Sequence, residues 1–351
     1  MKVLFFIEKS AGNFIDLIDY LETYFPDYEK KYIVIDRHQE YDFSMLHNAV
    51  QITSYMQFVF DKDVRSIYYE ADKVIVSGVF VSQYVLLFFP RKILKKTYYQ
   101  FWGGDYTRFR KKTIQNYLSK CLINRCIKHS KGIITLVESE REEFALYFNI
   151  DKPFFSVPVT SGPKDQELRM KCRQKAKEND KKNRIIIGNS SSQTNNHFEI
   201  FEMMSAKNWK DYEIYCPLSY GDMEYAKKVI EKGKSVFGKS FIPLEKKLEY
   251  KEYLELLSTC SVGIYNHDRQ QGLGNISLLI SFGKKVYVRK NSENWKHYSK
   301  YGMLLNDIEE IRNQTIDEIF AWDDSLRIKN MRAYENRGLA MKEEWKRILD
   351  D

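Results

Sequence analysis

Two polar segments in the second half of the chain have the composition of phosphate-binding loops. The first spans residues 188–197 (GNSSSQTNNH) and follows an apolar run, and the second spans 269–275 (RQQGLGN) and precedes an amphipathic stretch. Glycine lets the backbone approach a ligand closely, and the amides that begin a helix bind anions. Neither segment has the GxxxxGK[ST] or GxGxxG pattern, and each alone is also typical of a capped turn. Together they predict a diphosphate held between two helix starts.

We expect these segments to bind the donor of a group-transfer reaction. The candidate donor-binding residues are Gly188, Asn189, Ser190, Asn195, His197, Tyr220, Arg269, Gln270, Gln271, Gly272, Gly274 and Asn275. Arg269 or His267 is expected to neutralise the diphosphate charge. Tyr220 belongs to the turn 216–221 (CPLSYG), whose proline and glycine are equally typical of a turn without a ligand.

A carboxylate in the first half is the candidate catalytic group. Asp105 ends the element Trp102-Gly103-Gly104-Asp105, and it is the single acidic residue among twelve Lys and Arg residues between positions 91 and 131. A carboxylate at such a turn can accept the proton of an acceptor hydroxyl or orient a sugar. The same position also suits a helix N-cap, and the two roles are compatible.

The basic segment around Asp105 predicts a surface for anions. Trp102, Arg108, Arg110, Lys111 and Lys112 are candidates for contact with a lipid-diphosphate acceptor or anionic headgroups, although an ordinary solvated basic face fits the composition equally well. Apolar residues recur behind them at helical spacing, and we interpret them as a core-facing stripe. The stripe consists of Ile114, Tyr117, Leu118, Cys121, Leu122 and Cys126.

The elements that must position these residues alternate between short apolar runs and helical patterns. This alternation predicts an α/β protein with parallel, doubly wound sheets, and 351 residues favour two domains. We expect a Rossmann-like first domain over residues 1–160, a charged linker over 161–183 and a Rossmann-like second domain over 184–330. A helix over 331–351 is expected to pack back on the first domain. The cleft between two such domains is the expected ligand site.

The remaining composition narrows the setting. Five scattered cysteines predict neither a disulfide framework nor a zinc site, and they suit a reducing compartment. No apolar run approaches the length of a membrane span, and the N-terminus is typical of a first strand rather than a signal peptide. We expect a cytoplasmic protein attached peripherally to the inner face of the membrane.

The ordered motifs of the second half resemble a known family. Gly-Asn-Ser at 188–190, Asn-Asn-His at 195–197, Pro-Leu-Ser-Tyr-Gly at 217–221 and Gln-Gln-Gly-Leu-Gly at 270–274 occur in one order, followed by Gly283 and Trp295. This set resembles the bacterial 4-acetamido-4,6-dideoxygalactose (Fuc4NAc) transferases, which act on the lipid II intermediate of enterobacterial common antigen. The similarity covers residues 184–300, and the element at 102–105 extends it weakly into the first half.

The resemblance implies a GT-B glycosyltransferase with two Rossmann-like domains facing a cleft. It implies a dTDP-sugar donor on the C-terminal domain and a polyprenyl-diphosphate-linked acceptor on the N-terminal domain. A relative in capsule or O-antigen synthesis fits the motifs as well. No cofactor and no metal ion are expected, because the matched region has no DxD element. We expect helix-start amides and Arg269 to stabilise the leaving diphosphate, and Asp105 to accept the acceptor proton.

Two other functions remain open from the sequence. A sugar-nucleotide epimerase or hydrolase would share the scaffold but would not need the basic first half. A non-catalytic protein that binds glycans or polyanions would use the basic, aromatic segment. Nucleic acid is not an expected partner, because the aromatics fall at positions typical of core packing.

Overall fold

The fold is taken from a computed structural model of the 351-residue chain. The structure describes residues 1–8, 14–36, 46–78, 89–138, 140–148, 151–158, 162–178 and 183–351. The chain divides into two compact units, which we call unit 1 (residues 1–165 and 341–351) and unit 2 (residues 166–340).

Unit 1 is built around seven parallel strands in the order β3-β2-β1-β4-β5-β6-β7. Its elements are β1 (Lys2–Glu8), α1 (Phe14–Tyr24), β2 (Glu29–Ile35), β3 (Ala49–Ile52), α2 (Tyr55–Phe60), α3 (Lys62–Glu70), β4 (Lys73–Ser77), α4 (Arg91–Leu94), β5 (Thr97–Gln100), α5 (Gly104–Thr107), α6 (Ile114–His129), β6 (Gly132–Thr135), α7 (Glu140–Ala145) and β7 (Phe154–Ser156). The helix α8 (Pro163–Glu178) lies in the segment expected to be a linker.

Unit 2 has six parallel strands in the order β10-β9-β8-β11-β12-β13. Its elements are β8 (Arg184–Ile187), α9 (His197–Met204), β9 (Glu213–Pro217), α10 (Met223–Phe237), β10 (Phe241–Leu244), α11 (Tyr250–Thr259), β11 (Val262–Tyr265), α12 (Leu273–Ser281), β12 (Lys285–Val288), α13 (Glu293–Lys300), β13 (Asn306–Asp307), α14 (Ile316–Phe320) and α15 (Asp324–Asp350). Strand order is therefore the same in both sheets, apart from one extra edge strand in unit 1.

The sheets are buried on both faces, as parallel sheets covered by helices require. In β1, Leu4 and Phe6 belong to one apolar cluster, whereas Val3, Phe5 and Ile7 belong to another on the opposite face. This two-residue alternation is the side-chain period of a strand. The end of α15 joins the second cluster, where Trp345 lies with its ring centroid 6.1 Å from that of Phe5. Among the described residues, no helix is long and apolar enough to cross a membrane.

Candidate functional site

Both predicted loops lie at the same point of the unit 2 sheet. β8 and β11 are neighbours in the middle of the sheet, and the strand order runs outward from them in opposite directions. Residues 188–196 follow β8, and residues 266–272 follow β11. In open parallel sheets, the crevice at the carboxyl ends of two such strands is the usual ligand site. The topology therefore brings the two motifs to one edge.

The loop after β8 is held by its own amides and side chains. Gly188 has φ +69°, and a Cβ atom there would lie 2.8 Å from both Asn195 Oδ1 and His197 Nε2, so the position requires glycine. The amide of Asn189 donates to Asn195 Oδ1 at 3.0 Å, and that of Ser191 donates to the Tyr220 carbonyl at 2.9 Å. This differs from the expected cradle of open amides, because internal partners already satisfy these two donors.

The start of α9 also differs from the predicted strand–loop–helix pattern. A 3₁₀ turn over Gln193–Asn195 precedes a left-handed residue, Asn196, with φ 50°. The side chain of Asn196 donates to the Asn266 carbonyl at 2.9 Å and to Asp268 Oδ1 at 2.8 Å. The loop after β8 is therefore tied to the loop after β11 before α9 begins.

The side chain of Gln271 joins the two loops directly. Its Nε2 donates to Asn189 Oδ1 at 3.1 Å and to Ser190 Oγ at 3.3 Å, and its Oε1 accepts from Thr194 Oγ1 at 2.6 Å. The next residue, Gly272, has φ +68°, and a Cβ atom there would lie 2.7 Å from His267 Cε1. The motif Gln-Gln-Gly is thus packed against the motif Gly-Asn-Ser.

The buried imidazole of His267 lies against this junction of the two loops. Asn294 Nδ2 donates to the Gln271 carbonyl at 2.8 Å and to His267 Nδ1 at 3.1 Å. Since Nδ1 is then the acceptor, the proton lies on Nε2, which donates to Asn195 Oδ1 at 3.0 Å. Burial, followed by the nearby His197 and Arg269, lowers the pKa of His267 to about 3. The expectation that His267 neutralises a diphosphate is therefore wrong, because the ring is buried and uncharged.

His197 is also buried and neutral. Its Nδ1 lies 3.3 Å from the Tyr225 hydroxyl, and its Nε2 faces the Cα of Gly188. Burial lowers the pKa of His197 to about 4. With no exposed surface, this side chain lies beneath the loop and supports it.

Accessible groups of the edge come from the start of α12 and from three side chains. Gly274 is exposed in the first turn of this nine-residue helix, and the space beside its Cα is open. Arg269 and Gln270 are half-buried in the preceding loop. Tyr220 has an exposed fraction of 58%, and its hydroxyl accepts from Asn189 Nδ2 at 2.9 Å. The side-chain amide of Asn275 donates to the Tyr253 hydroxyl at 2.7 Å.

In unit 1, Asp105 lies at the carboxyl edge of the sheet in a buried position. Its two carboxylate oxygens accept from the Trp102 amide at 3.0 and 3.1 Å. The indole Nε1 of Trp102 donates to Ser77 Oγ at 3.3 Å, and Ser77 donates to Gln100 Oε1 at 2.7 Å. The expected N-cap role of Asp105 is wrong, because Gly103 is the N-cap of α5 and Asp105 lies within the helix. Its carboxylate instead holds the preceding turn through the Trp102 amide.

A second buried carboxylate, Glu140, begins α7 and was not predicted from the sequence. Glu140 Oε1 accepts from the Tyr106 hydroxyl at 2.9 Å, and Oε2 accepts from the amides of Leu136 and Val137 at 3.2 and 3.3 Å. Burial raises the pKa of Glu140 to about 7, and the nearby Asp105 raises it further against these hydrogen bonds. The group can therefore change its charge near neutral pH.

The basic candidates of unit 1 take different positions. Arg110 Nε donates to Glu143 Oε1 at 3.0 Å, and the Arg108 guanidinium lies 5.0 Å from the Phe109 ring centroid. Lys111 and Lys112 are exposed.

The predicted core stripe of α6 is wrong for its first four residues and right for Cys126, which is buried in the core of unit 1. Ile114, Tyr117 and Leu118 have exposed fractions of 83%, 67% and 56%, and Cys121 is also exposed. The core contacts of α6 come instead from the opposite face, whose buried residues are Ser119, Ile123, Cys126 and Ile127.

No local sequence pattern identifies Asn294 or Glu140 as a residue of either sheet edge. Asn294 lies on α13, 23 positions after Gln271, and ordinary helical residues surround it. Glu140 looks like any acidic residue in the first turn of a helix. The burial of an acid at a strand end is visible only once the sheet is assembled.

Comparison with known proteins places this geometry in a family. A family model described as 4-alpha-L-fucosyltransferase, glycosyl transferase group 56, matches residues 97–349. HepE from Anabaena, solved with UDP and glucose, has a TM-score of 0.65 at 12% identity, covering 100% of this chain and 99% of that chain. A glycosyltransferase from Rickettsia africae has a TM-score of 0.62 at 12% identity, with 100% and 99% covered.

A third solved structure has the same fold. The N-terminal domain of trehalose-6-phosphate phosphatase from Candida albicans has a TM-score of 0.65 at 10% identity, covering 99% of this chain and 96% of that chain. At such low identities the likeness concerns the fold alone. It confirms the predicted GT-B class, with two parallel-sheet α/β domains.

Proposed function

The chain belongs to glycosyltransferase group 56, as its motifs predicted, and we propose that it transfers a deoxy or deoxy-amino sugar such as Fuc4NAc. The proposed donor is a dTDP-sugar, and the proposed acceptor is a polyprenyl-diphosphate-linked glycan of bacterial surface polysaccharide synthesis. The membership alone makes the protein a glycosyltransferase. The donor, the acceptor and the location of the site are proposals that rest on the geometry of the two units.

One observation carries the donor site. Gln271, after β11, donates to Asn189 and Ser190, after β8, at the point where the strand order reverses. Two motifs separated by about 80 positions are thus one surface, at the edge where α/β sheets bind ligands. Had the loops diverged, neither could have contributed to a shared diphosphate site.

The charge of this surface suits a diphosphate. Its buried side chains are amides, hydroxyls and uncharged imidazoles, which do not repel an anion. Arg269 and the amides at the start of α12 are the groups that would meet the phosphates. We propose that they stabilise the negative charge that develops as the nucleoside diphosphate leaves, with no metal ion taking part.

The proposed acceptor side is the carboxyl edge of unit 1. Trp102 is half-buried there. The basic residues of the same segment follow it in the sequence: Arg108, Arg110, Lys111 and Lys112. A lipid-linked diphosphate is an anion, and an anionic membrane surface would attract the same residues. We propose that the enzyme works on the inner face of the cytoplasmic membrane.

A binding panel tests the donor site. We expect dTDP to raise the melting temperature of the wild-type protein more than UDP or GDP does. Gln271→Ala should weaken dTDP binding about tenfold, because Asn189 and Ser190 lose the partner that orders them. Gln115→Ala, an exposed glutamine on α6, is the control and should bind like the wild type. Equal shifts in both variants would refute the site.

Product analysis tests the reaction class. With donor and a polyprenyl-diphosphate glycan, we expect sugar in the lipid fraction and release of dTDP. Free sugar formed at the same rate without acceptor would instead identify a hydrolase, and an altered sugar still linked to the nucleotide would identify an epimerase.

A further inference from the structure

The outer face of α6 combines apolar side chains with positive charge. Ile114, Tyr117, Leu118 and Cys121 are spaced three, four and seven positions along the helix, which places them on one side of it. We call these four residues the α6 stripe. All four are exposed, while the opposite side of the helix packs in the core of unit 1. The helix therefore keeps a large apolar surface that the described residues of unit 1 do not cover.

The charge around the stripe has one sign. Residues 108–131 contain eight Lys and Arg residues and no acidic residue. Lys111, Lys112 and Lys128 are exposed and take part in no ion pair within the described part of the chain. Arg110 and Lys131 do form ion pairs, with Glu143 and Asp351 respectively.

We propose that α6 lies in the interface of an anionic lipid bilayer, with the α6 stripe entering the headgroup–acyl boundary and the lysines contacting lipid phosphates. An apolar face flanked by lysines is the composition of helices that lie in the plane of a membrane. Tyr117 suits this position, because its ring is apolar and its hydroxyl stays in water. A protein partner would have to be acidic and apolar at once, whereas an anionic bilayer supplies both properties along its whole surface.

The position of the helix gives this contact a use. α6 begins 13 residues after the end of β5, so its first turns follow the Trp102–Asp105 segment at the carboxyl edge of unit 1. Docking here would bring that edge to the surface in which a lipid-linked acceptor is embedded. This use rests on the proposed function, whereas the docking itself does not depend on a nucleotide or an acceptor.

The exposed thiol of Cys121 provides the probe. The other four cysteines of the chain are buried, so an environment-sensitive fluorophore can be attached at Cys121 alone. We expect its emission to shift to the blue and increase with vesicles of phosphatidylcholine and phosphatidylglycerol, but not with phosphatidylcholine alone. An unchanged spectrum with both vesicles, or binding of the protein while the probe stays in water, would overturn the proposal.

A matched pair of double variants separates the stripe from general surface effects. Ile114→Ser with Leu118→Ser should reduce co-sedimentation with the anionic vesicles at least tenfold, at an unchanged melting temperature. Ile328→Ser with Leu339→Ser removes two other apolar side chains with exposed fractions of 49% and 66% on α15, and it should bind like the wild type. Equal loss in both double variants, or no loss in the first, would refute the role of α6.

Two further measurements complete the test. Light scattering should give the same mass for the wild type and the α6 double variant, since a dimer that the variant dissolves would identify a second copy as the occupant and overturn the proposal. Both double variants should bind dTDP normally. If the wild-type protein binds dTDP but not the anionic vesicles, the membrane-docking proposal is refuted and the donor site is not. If the wild-type protein binds the vesicles but not dTDP, the proposed donor site is refuted and the docking proposal is not.

Discussion

The carboxyl edges of the two sheets have the same strand order but opposite chemistry. At the edge of unit 2, the buried polar side chains are amides, hydroxyls and imidazoles, as in Asn195, Ser190 and His267. At the edge of unit 1, three buried side chains are carboxyl groups: Asp36, Asp105 and Glu140. One architecture therefore buries uncharged polar side chains at the edge of one unit and carboxyl groups at the edge of the other.

This difference is consistent with the proposed division of sugar transfer between the two units. A leaving diphosphate needs hydrogen-bond donors and cations around it, and a buried carboxylate nearby would repel it. A hydroxyl that attacks a sugar needs groups that orient it or take its proton, and carboxylates are suited to both. The two edges match these two requirements, which supports placing the donor on unit 2 and the acceptor on unit 1.

Acidification provides the largest test of this comparison. His197, His267 and His297 are all buried in unit 2, and burial lowers the pKa of each: to about 4 for His197, to about 3 for His267, and well below the usual range for His297. The unfolded chain binds protons at these sites below about pH 6.5, so the stability of unit 2 falls as the pH falls. Between pH 7 and pH 5 we expect a loss of about 2 kcal/mol for each histidine.

Hydrogen exchange of backbone amides, read separately for β8 and β11, measures this loss. After correction for intrinsic exchange rates, these strands should exchange much faster at pH 5 than at pH 7. The central strands β1 and β4 of unit 1 are the internal reference and should not show the same loss. Equal protection of β8 and β11 at both pH values would mean that the imidazoles are not held neutral.

The next largest effect concerns the junction of the two loops. Gly272→Val should lower sugar transfer about 100-fold, because the new side chain collides with His267 and displaces Gln271 from Asn189. Gly302→Val is the matched control, since Gly302 has a similar φ of +74° but open space around its Cα. Both variants carry a backbone strain of about 1–2 kcal/mol. If they lose transfer equally, the strain and not the junction accounts for the effect.

The acidic edge of unit 1 should respond to pH in the opposite direction. The pKa of Glu140 rises from 4.5 in the unfolded chain to about 7 in the fold, so the folded unit binds the extra proton in this range. Unit 1 should therefore gain about 2 kcal/mol from this group as the pH falls from 7 to 5.

Two substitutions by glutamine on α7 isolate the contribution of Glu140 to the stability of unit 1. Glu140→Gln should remove the gain, whereas Glu142→Gln, an exposed neighbour on α7, should retain it. Exchange of the amides in β5 and β6 gives the measurement. A gain that persists in Glu140→Gln would show that another group is responsible.

The fold and the position of the two polar loops at strand ends were predictable from the sequence, because local patterns determine them. Short apolar runs between helical segments specify a parallel sheet, and the motifs at 188–197 and 270–274 follow two of its strands. The partners of these motifs were not predictable. Asn294 acts through a contact across the fold, and its own helix gives no sign of it.

The error on α6 has a different physical cause. This helix has apolar residues on two faces, and periodicity alone does not tell which face packs inward. Ile123 and Ile127 lie on the inner face, while Ile114 and Leu118 form the more obvious pattern on the outer face. Which face of α6 packs inward depends on its position against the sheet. The exposed apolar surface was therefore found only in the structure.

The smallest effect distinguishes the two roles of Asp105. As a buried carboxylate that accepts from the Trp102 amide, it is expected to position that turn, and Asp105→Asn should lower transfer about tenfold with unchanged dTDP binding. The acidic limb of the pH–rate profile should remain, because a positioning residue does not exchange a proton with the substrate. Asp72→Asn is the control, because Asp72 is an exposed carboxylate that likewise accepts from a backbone amide, that of Lys2, at 2.8 Å. A loss of about 1000-fold together with the disappearance of that limb would make Asp105 the general base instead.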